Sequence, residues 1–191
     1  MPLRSGVFIL NKLIAKAEQF GCEEIVLPSI EPTELYVSKA GDEVLSQMYT
    51  FQDKGEREIC LRPEGTATCQ CLAREVWKQT RDKKLWYDVR CWRYERPQAG
   101  RYREFTQFGV EWLNPRLNPA SALIDLAEEM VKEITSQYAI SRSVKRGLAY
   151  YVEDGFEIVC EQLGAQKQVC GGGTYAEGCG FAFGIDRLML V

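Results

Sequence analysis

Two aromatic-rich apolar stretches, Lys84–Trp92 and Glu104–Leu113, most constrain what this chain can fold into. Both stretches are rich in the aromatic and β-branched residues that favour strands. The segment between them, Arg93–Arg103, is too long and too charged for a tight hairpin turn. The sequence therefore predicts two long strands joined by a charged loop.

The remaining elements predict a mixed fold rather than a regular β-α alternation. We predict helices over Val7–Phe20 and Thr66–Lys78, a third helix opened by Asn118 and Pro119, and short strands over Glu24–Pro28, Met48–Gln52, Glu58–Arg62, Gly155–Cys160 and Lys167–Cys170. This mixture indicates an α+β fold, an antiparallel β-sheet flanked by helices, instead of a Rossmann or barrel architecture. We see no repeat and no linker, so residues 1–191 are expected to form a single domain.

Composition excludes several classes of function. The 191 residues contain no histidine, which excludes Ser-His and Cys-His nucleophile systems and most catalytic zinc sites. A net charge of -3 gives no overall positive field for nucleic acid. No apolar run approaches the ~20 residues of a membrane span, so no membrane partner is expected. The eight cysteines form no Cys-x-x-Cys pair, and the start has no signal-peptide layout, which favours reduced thiols and a cytoplasmic location.

The charged loop is the strongest candidate for a binding site. Five arginines lie within Arg90–Arg103, and arginine binds phosphate groups in a bidentate manner. By composition alone, a solvated charged hairpin is the favoured interpretation of this loop. However, Arg93 and Glu95 share one face, and the return strand places Gln107 and Glu111 on the same face as Phe105. That alternation predicts the floor of a polar pocket.

The loop and four other segments together resemble a known family. Residues 92–105, with their Arg-Pro-Gln and Gly-Arg-Tyr-Arg pieces, resemble the second signature motif of the class II aminoacyl-tRNA synthetases, histidyl type. The other four segments resemble further motifs of that family in the family's order, and they are residues 48–67, 146–151, 172–175 and 180–188. The resemblance implies the class II catalytic fold.

The resemblance implies an ATP site. In such enzymes an amino-acid carboxylate attacks the α-phosphate of ATP, releases pyrophosphate and leaves an aminoacyl-adenylate, and positioning and charge neutralisation supply most of the catalysis. By resemblance, Arg93, Arg146 and Arg187 are the catalytic residues. The ATP-binding residues implied are Arg93, Glu95, Arg101, Phe105 and Arg187. Mg²⁺ would bridge the phosphates, and no protein metal site is predicted.

The resemblance also implies an amino-acid site, with histidine as the first choice. Glu64, Thr66 and Gln107 match positions that hold the α-ammonium group, whereas Glu111, Tyr151 and Tyr175 match positions around the imidazole. Ala149 and Thr174 stand where the family has Asp and Arg. These two departures surround the amino-acid side of the pocket. A substrate other than histidine therefore remains an alternative.

The partners expected from the resemblance are a second copy of the chain and tRNA. The Val7–Phe20 helix and Pro28 resemble the first class II motif, which forms the dimer interface, so a homodimer is expected. Full-length histidyl enzymes carry an insertion domain between the positions of Glu111 and Arg146, and an anticodon-binding domain after the third motif. With neither in this sequence, we expect weak contact with the tRNA acceptor end only.

Two alternative functions remain open at this point. One is a histidyl-synthetase paralogue that acts as a regulatory subunit. The other is an adenylating ligase that passes its acid to an acceptor other than tRNA, an alternative that Ala149 and Thr174 favour. The retained Arg93, Glu95 and Arg101 favour an active adenylating site over the regulatory alternative.

Overall fold

The computed structural model describes residues 6–37, 45–145, 150–153 and 155–191. Its helices are α1 (Gly6–Gln19), α2 (Glu34–Val37), α3 (Thr66–Glu75), α4 (Ala120–Lys132) and α5 (Ile185–Leu188), and a 3₁₀ helix spans Glu161–Gln166. The strands are β1 (Glu23–Glu24), β2 (Ile30–Pro32), β3 (Thr50–Gln52), β4 (Glu58–Leu61), β5 (Lys83–Trp92), β6 (Glu104–Leu113), β7 (Ala139–Val144), β8 (Gly155–Val159), β9 (Gln168–Tyr175) and β10 (Gly178–Gly184). Among these described helices, none is long and apolar enough to cross a membrane.

A seven-stranded sheet forms the centre of the molecule. Its strand order is β1-β5-β6-β10-β9-β8-β7, and β1 pairs parallel with β5 while the other neighbours pair antiparallel. A separate three-stranded sheet has the order β2-β4-β3. The predicted α+β class, with an antiparallel sheet flanked by helices, is therefore confirmed.

The two faces of β5 and β6 pack against different partners. Trp86 and Phe108 join the core that contains the apolar residues of α1 and α4. Leu85, Tyr87 and Phe105 belong to the opposite face, where α3 packs. Because side chains alternate along a strand, Gln107 and Glu111 lie on the same face as Phe105, as the sequence predicts.

The β5–β6 hairpin carries the charged loop at its end. Its ladder runs from Lys83 opposite Leu113 to Trp92 opposite Glu104. Pairing continues one step further, because the Arg93 amide donates to the Arg103 carbonyl at 2.9 Å. The loop therefore begins where the regular sheet ends, close to the predicted position.

Two predicted elements differ from the structure. The Glu24–Pro28 stretch contributes only β1 and then leaves the sheet after the Ile25 amide bonds to the Trp86 carbonyl. Strand β9 continues well past Cys170 through the glycine run to Tyr175. Gly172 permits this close pairing, because a Cβ there would lie 2.6 Å from the Cβ of Phe181.

Helix α1 forms close to its predicted span and ends before Gly21, which has a φ of 85°. Ile9, Leu13 and Ala17 are fully buried in the chain's own core. The apolar face that we expected at a dimer interface is therefore already covered. Serine favours the N-cap position of a helix, but Ser5, which precedes this one, lies outside the described residues.

Candidate active site

A cavity of about 500 Å³ opens where the end of the β5–β6 hairpin, the start of α3 and the β8–β9 edge meet. Most of the predicted site residues line it, namely Glu64, Thr66, Arg93, Glu95, Arg101, Phe105, Gln107, Tyr151 and Arg187. Glu111 and Tyr175 are buried and absent from this lining. Arg146 and Ala149 lie outside the described residues.

Arg93 is anchored at the junction of the hairpin and α3. Its Nε–H donates to the Pro63 carbonyl at 2.9 Å. Its guanidinium carbon lies 5.4 Å from the centroid of the Phe105 ring, within the range of a cation–π contact. The side chain is thereby held at the cavity wall, next to the residue that precedes Glu64.

Three further charged residues form a compact group on the other side. The buried Glu95 carboxylate pairs with the Arg101 guanidinium. Arg187 donates from Nε to the Gly100 carbonyl at 2.6 Å and from one terminal nitrogen to the Gln168 carbonyl at 2.7 Å. Burial lowers the pKa of Arg187, and the nearby Glu95 raises it. Together with Arg93 across the cavity, this group supplies three arginines and one paired glutamate, a set that suits an anionic ligand.

Thr66 is the first residue of α3, and Glu64 lies two residues before it. Both Glu64 oxygens accept backbone N–H groups, from Thr66 at 2.6 Å and from Ala67 at 2.9 Å. A carboxylate at a helix N-terminus satisfies amides that have no partner within the helix. Burial raises the pKa of Glu64, and these amides together with Arg93 lower it. The helix start thus presents a fixed carboxylate and a hydroxyl to the cavity.

Glu111 lies beneath the cavity and has no exposed surface. Its Oε1 accepts from the hydroxyls of Thr66 at 2.6 Å and Tyr87 at 3.1 Å, and its Oε2 accepts from Tyr175 at 2.5 Å. Burial raises the pKa of Glu111 to about 7, although these hydroxyls lower it. Thr66 is the member of this network that also lines the cavity.

Tyr87 is a part of the site that sequence reasoning missed. It stands opposite Gly109 in the β5–β6 ladder. A Cβ at Gly109 would overlap the Tyr87 ring, and one at Gly65 would lie 2.6 Å from it. Gly109 is the signal that could have indicated Tyr87. A glycine in a strand of otherwise bulky residues leaves room for a large neighbouring side chain.

The far wall of the cavity was also not predicted. It comes from β8, β9 and the 3₁₀ helix, and it includes Glu157, Gln166 and Gln168. Within the described ranges, no three Asp, Glu, Cys or His residues are grouped so as to hold a metal ion. A magnesium ion that arrives with phosphates needs only one or two protein carboxylates, and the lining includes the carboxylate residue Glu157.

Comparisons with known proteins agree with this geometry. A profile of the family described as Histidyl-tRNA synthetase matches residues 7–136. The curated Histidine--tRNA ligase of Acetivibrio thermocellus is 30% identical over 291 residues, which cover 95% of this chain and 70% of that protein. Since this chain has only 191 residues, the aligned part of that relative contains residues that have no counterpart here.

Solved structures of class II synthetases share the fold. Apo histidyl-tRNA synthetase from S. aureus superposes with a TM-score of 0.78 at 26% identity, covering 100% of this chain and 66% of that chain. A protein from Bacillus halodurans C described as an ATP phosphoribosyltransferase regulatory subunit/histidyl-tRNA synthetase gives a TM-score of 0.80 at 16% identity, covering 97% of this chain and 78% of that chain. At that identity the second likeness concerns the fold alone.

Proposed function

Because the chain belongs to the histidyl-tRNA synthetase family, we propose that it activates an amino acid with ATP, histidine first, to form an aminoacyl-adenylate. The observation that carries this proposal is that two sets of side chains line one cavity. The first set is Arg93, Arg101 and Arg187, and the second is Glu64, Thr66 and Gln107. One set suits a polyphosphate, and the other suits an ammonium group. Adenylate formation requires these two ligands side by side.

In the proposed reaction an oxygen of the amino-acid carboxylate attacks the α-phosphorus of ATP. The bond from that phosphorus to the bridging oxygen breaks, and pyrophosphate leaves with that oxygen. Arg93 holds the α-phosphate and the carboxylate, and Arg146 stabilises the same phosphate. Positive groups fixed before the reaction stabilise charge that develops in the transition state.

The proposed ATP site continues along the charged loop. Arg101 and Arg187 bind the outer phosphates, Phe105 stacks on the adenine, and Glu95 accepts from the adenine amino group. The Glu95–Arg101 pair supports this arrangement, because it holds both side chains at the cavity. Mg²⁺, held by the phosphates and by Glu157, would neutralise phosphate charge when bound.

The proposed amino-acid site is built around α3 and β6. Glu64, Thr66 and Gln107 receive the α-ammonium group. Tyr151 lines the side-chain end, and Glu111 and Tyr175 form the layer below it. Buried acceptors facing an imidazole N–H are chemically suited to histidine.

The proposal also covers the oligomeric state, the contact with tRNA and the cellular location. We propose a homodimer, supported by the exposed Val26 and Ile30 around Pro28, which are 87% and 52% accessible. We propose that tRNA meets only the charged loop, through its acceptor end. None of the eight cysteines forms a disulfide bond, in keeping with a reducing cytoplasm.

Amino-acid-dependent exchange of pyrophosphate into ATP, screened over all twenty amino acids, tests the activity. We expect exchange with histidine and little with the others. Exchange with a different amino acid would retain the adenylation chemistry but reassign its substrate. Exchange with none would overturn the proposal and favour the regulatory alternative, whereas exchange without transfer to tRNA would favour another acceptor.

A further inference from the structure

Arg62 is a charged residue that the proposed reaction does not use, and it is almost completely buried. It directly follows β4, and only 2% of its surface is accessible. Burying a charged group is costly unless its polar atoms are hydrogen-bonded. The Arg62 guanidinium donates four hydrogen bonds to main-chain carbonyls of two separate segments. This side chain therefore connects parts of the backbone that are far apart in the sequence.

The first of these segments is the end of β5. The Nε–H and Nη2 of Arg62 donate to the Arg90 carbonyl at 3.1 and 2.7 Å, and the Arg62 carbonyl accepts the Trp92 amide at 2.9 Å. The pairing of β1 with β5 ends at Trp86, whose carbonyl accepts the Ile25 amide. Arg62 thus takes the place of a neighbouring strand along the last residues of β5.

The second segment, residues 27–29, leads away from β1. Nη1 of Arg62 donates to the carbonyls of Leu27 at 2.9 Å and Pro28 at 2.5 Å, and the Arg62 amide donates to the Ser29 carbonyl at 3.0 Å. The guanidinium therefore holds β5 with one side of its planar fork and residues 27–29 with the other. A lysine carries its charge on a single nitrogen, so it cannot reproduce this fork.

The position of Arg93 depends on these contacts. Arg93 directly follows Trp92, whose amide is held by Arg62. The Nε–H of Arg93 donates to the carbonyl of Pro63, the residue after Arg62. Both the backbone that leads into Arg93 and the carbonyl that anchors its side chain are therefore adjacent to Arg62, so a shift of Arg62 would move both.

We infer that Arg62 is a positioning residue for Arg93: by fixing the end of β5 relative to Pro63, it places the Arg93 guanidinium where the α-phosphate of ATP reacts. This inference rests on the proposed adenylation. Arg62 does not line the cavity, so it acts through Arg93 rather than on a ligand. Misplacing a catalytic group by about 1 Å can cost up to about 100-fold in rate.

A double-mutant cycle between Arg62→Lys and Arg93→Ala tests this role. Pyrophosphate exchange is measured over a range of ATP concentrations, with the amino acid that the unsubstituted chain activates. Arg62→Lys should lower kcat about tenfold, since Arg93 remains but is displaced. The KM for ATP should change less than about twofold, because Arg101 and Arg187 still bind the outer phosphates.

The second half of the cycle decides whether Arg62 acts through Arg93. In the Arg93→Ala background, Arg62→Lys should lower kcat by less than about twofold, because the group that it positions is gone. Fully additive losses would overturn the inference. A raised KM for ATP with an unchanged kcat would also overturn it, since that result indicates a general loosening of the ATP site.

Arg62→Gln supplies a second variant, which keeps N–H donors but removes the charge. It should lower kcat at least as much as Arg62→Lys, again with little change in the KM for ATP. Urea unfolding of both variants shows whether they fold. If neither variant folds, Arg62 serves stability alone and the inference fails.

Lys84→Met is the matched control. Lys84 is a half-buried cation near the other end of β5, it donates to the Phe20 carbonyl at 3.2 Å, and it does not line the cavity. Lys84→Met should lower the free energy of unfolding and leave kcat unchanged. A loss of kcat equal to that of Arg62→Lys would show that the rate follows stability, which would overturn the inference.

The same measurements separate the inference from the proposed function. If the unsubstituted chain exchanges pyrophosphate with no amino acid, the proposed function fails and the inference with it. If the chain is active and the losses from Arg62→Lys and Arg93→Ala are additive, the inference alone fails.

Discussion

The Nε–H of Arg93 donates to the carbonyl of Pro63 at 2.9 Å. This bond connects the end of β5 to the residue immediately before Glu64. The proposed phosphate-binding side chain and the proposed ammonium-binding carboxylate are thus held by one backbone contact. Such a connection fixes the relative position of two ligands that must react with each other.

Loss of the Arg93 guanidinium should reduce adenylation strongly. We expect Arg93→Ala to lower the rate of pyrophosphate exchange about 100-fold, equivalent to about 3 kcal/mol of transition-state stabilisation. Arg90→Ala is the control, because Arg90 is exposed, forms a 3.8 Å ion pair with Glu104 and does not line the cavity. An unchanged rate in Arg93→Ala would remove this arginine from the site.

Arg187 should contribute to both ATP binding and stability. Arg187→Met leaves the carbonyls of Gly100 and Gln168 without their donor. We expect a loss of about 1–3 kcal/mol in the free energy of unfolding, measured in urea, with at least tenfold weaker ATP binding. Retained ATP affinity in a destabilised protein would show that the residue only supports the loop.

The raised pKa of Glu111 predicts how stability depends on pH. The folded chain holds this proton up to about pH 7, whereas an ordinary glutamate releases it near 4.5. Between these values the folded state binds more protons, so raising the pH lowers stability. At about 1.4 kcal/mol for each pH unit, the total is of order 3 kcal/mol.

Urea unfolding from pH 4.5 to 8 measures this pH dependence of the free energy of unfolding, for the original chain and for Glu111→Gln. The variant should lose less stability than the original chain as the pH rises. The titratable groups around Glu111 are Glu64, Cys69, Tyr87, Tyr150, Tyr175 and Cys179. Of these, Glu64 is the other carboxyl group, burial also raises its pKa, and it remains in both proteins. Parallel pH profiles would contradict the prediction.

The proposed dimer can be tested at the segment around Pro28. Val26 is an apolar residue with 87% of its surface accessible. We expect the chain to sediment as a dimer of 21.8 kDa subunits at micromolar concentration and Val26→Asp to shift it toward monomer. Leu117→Asp is the matched control, because Leu117 is 84% accessible elsewhere on the surface. A monomer before any substitution would refute the dimer.

Binding of tRNA should be weak and depend on salt only modestly. Each phosphate contact contributes about -0.7 to -0.9 to the slope of log affinity against log salt, so a few contacts give a shallow slope. Arg96→Ala, at an exposed position of the loop, should reduce the slope by about one such contact. Titration with tRNAs that differ only in the anticodon should show no preference. Clear discrimination would indicate a recognition surface outside the charged loop.

Local sequence patterns predict much of the fold. Strand β6 has the predicted bounds, and β5 is one residue longer than predicted. The alternation that placed Phe105, Gln107 and Glu111 on one face follows from the two-residue period of a strand. Strand β7 was not predicted, because its mostly exposed residues lack a clear apolar alternation.

The sequence by itself therefore determined which residues belong to the two long strands and which face each occupies, because that information is periodic and local. It also placed the arginines in a loop at the strand ends. Only the tertiary structure decided that Glu111 lies below the cavity with its oxygens bound by hydroxyls from α3, β5 and β9, and that Arg187 reaches the Gly100 carbonyl. Those contacts join segments far apart in the chain, and strand register and packing depth fix them.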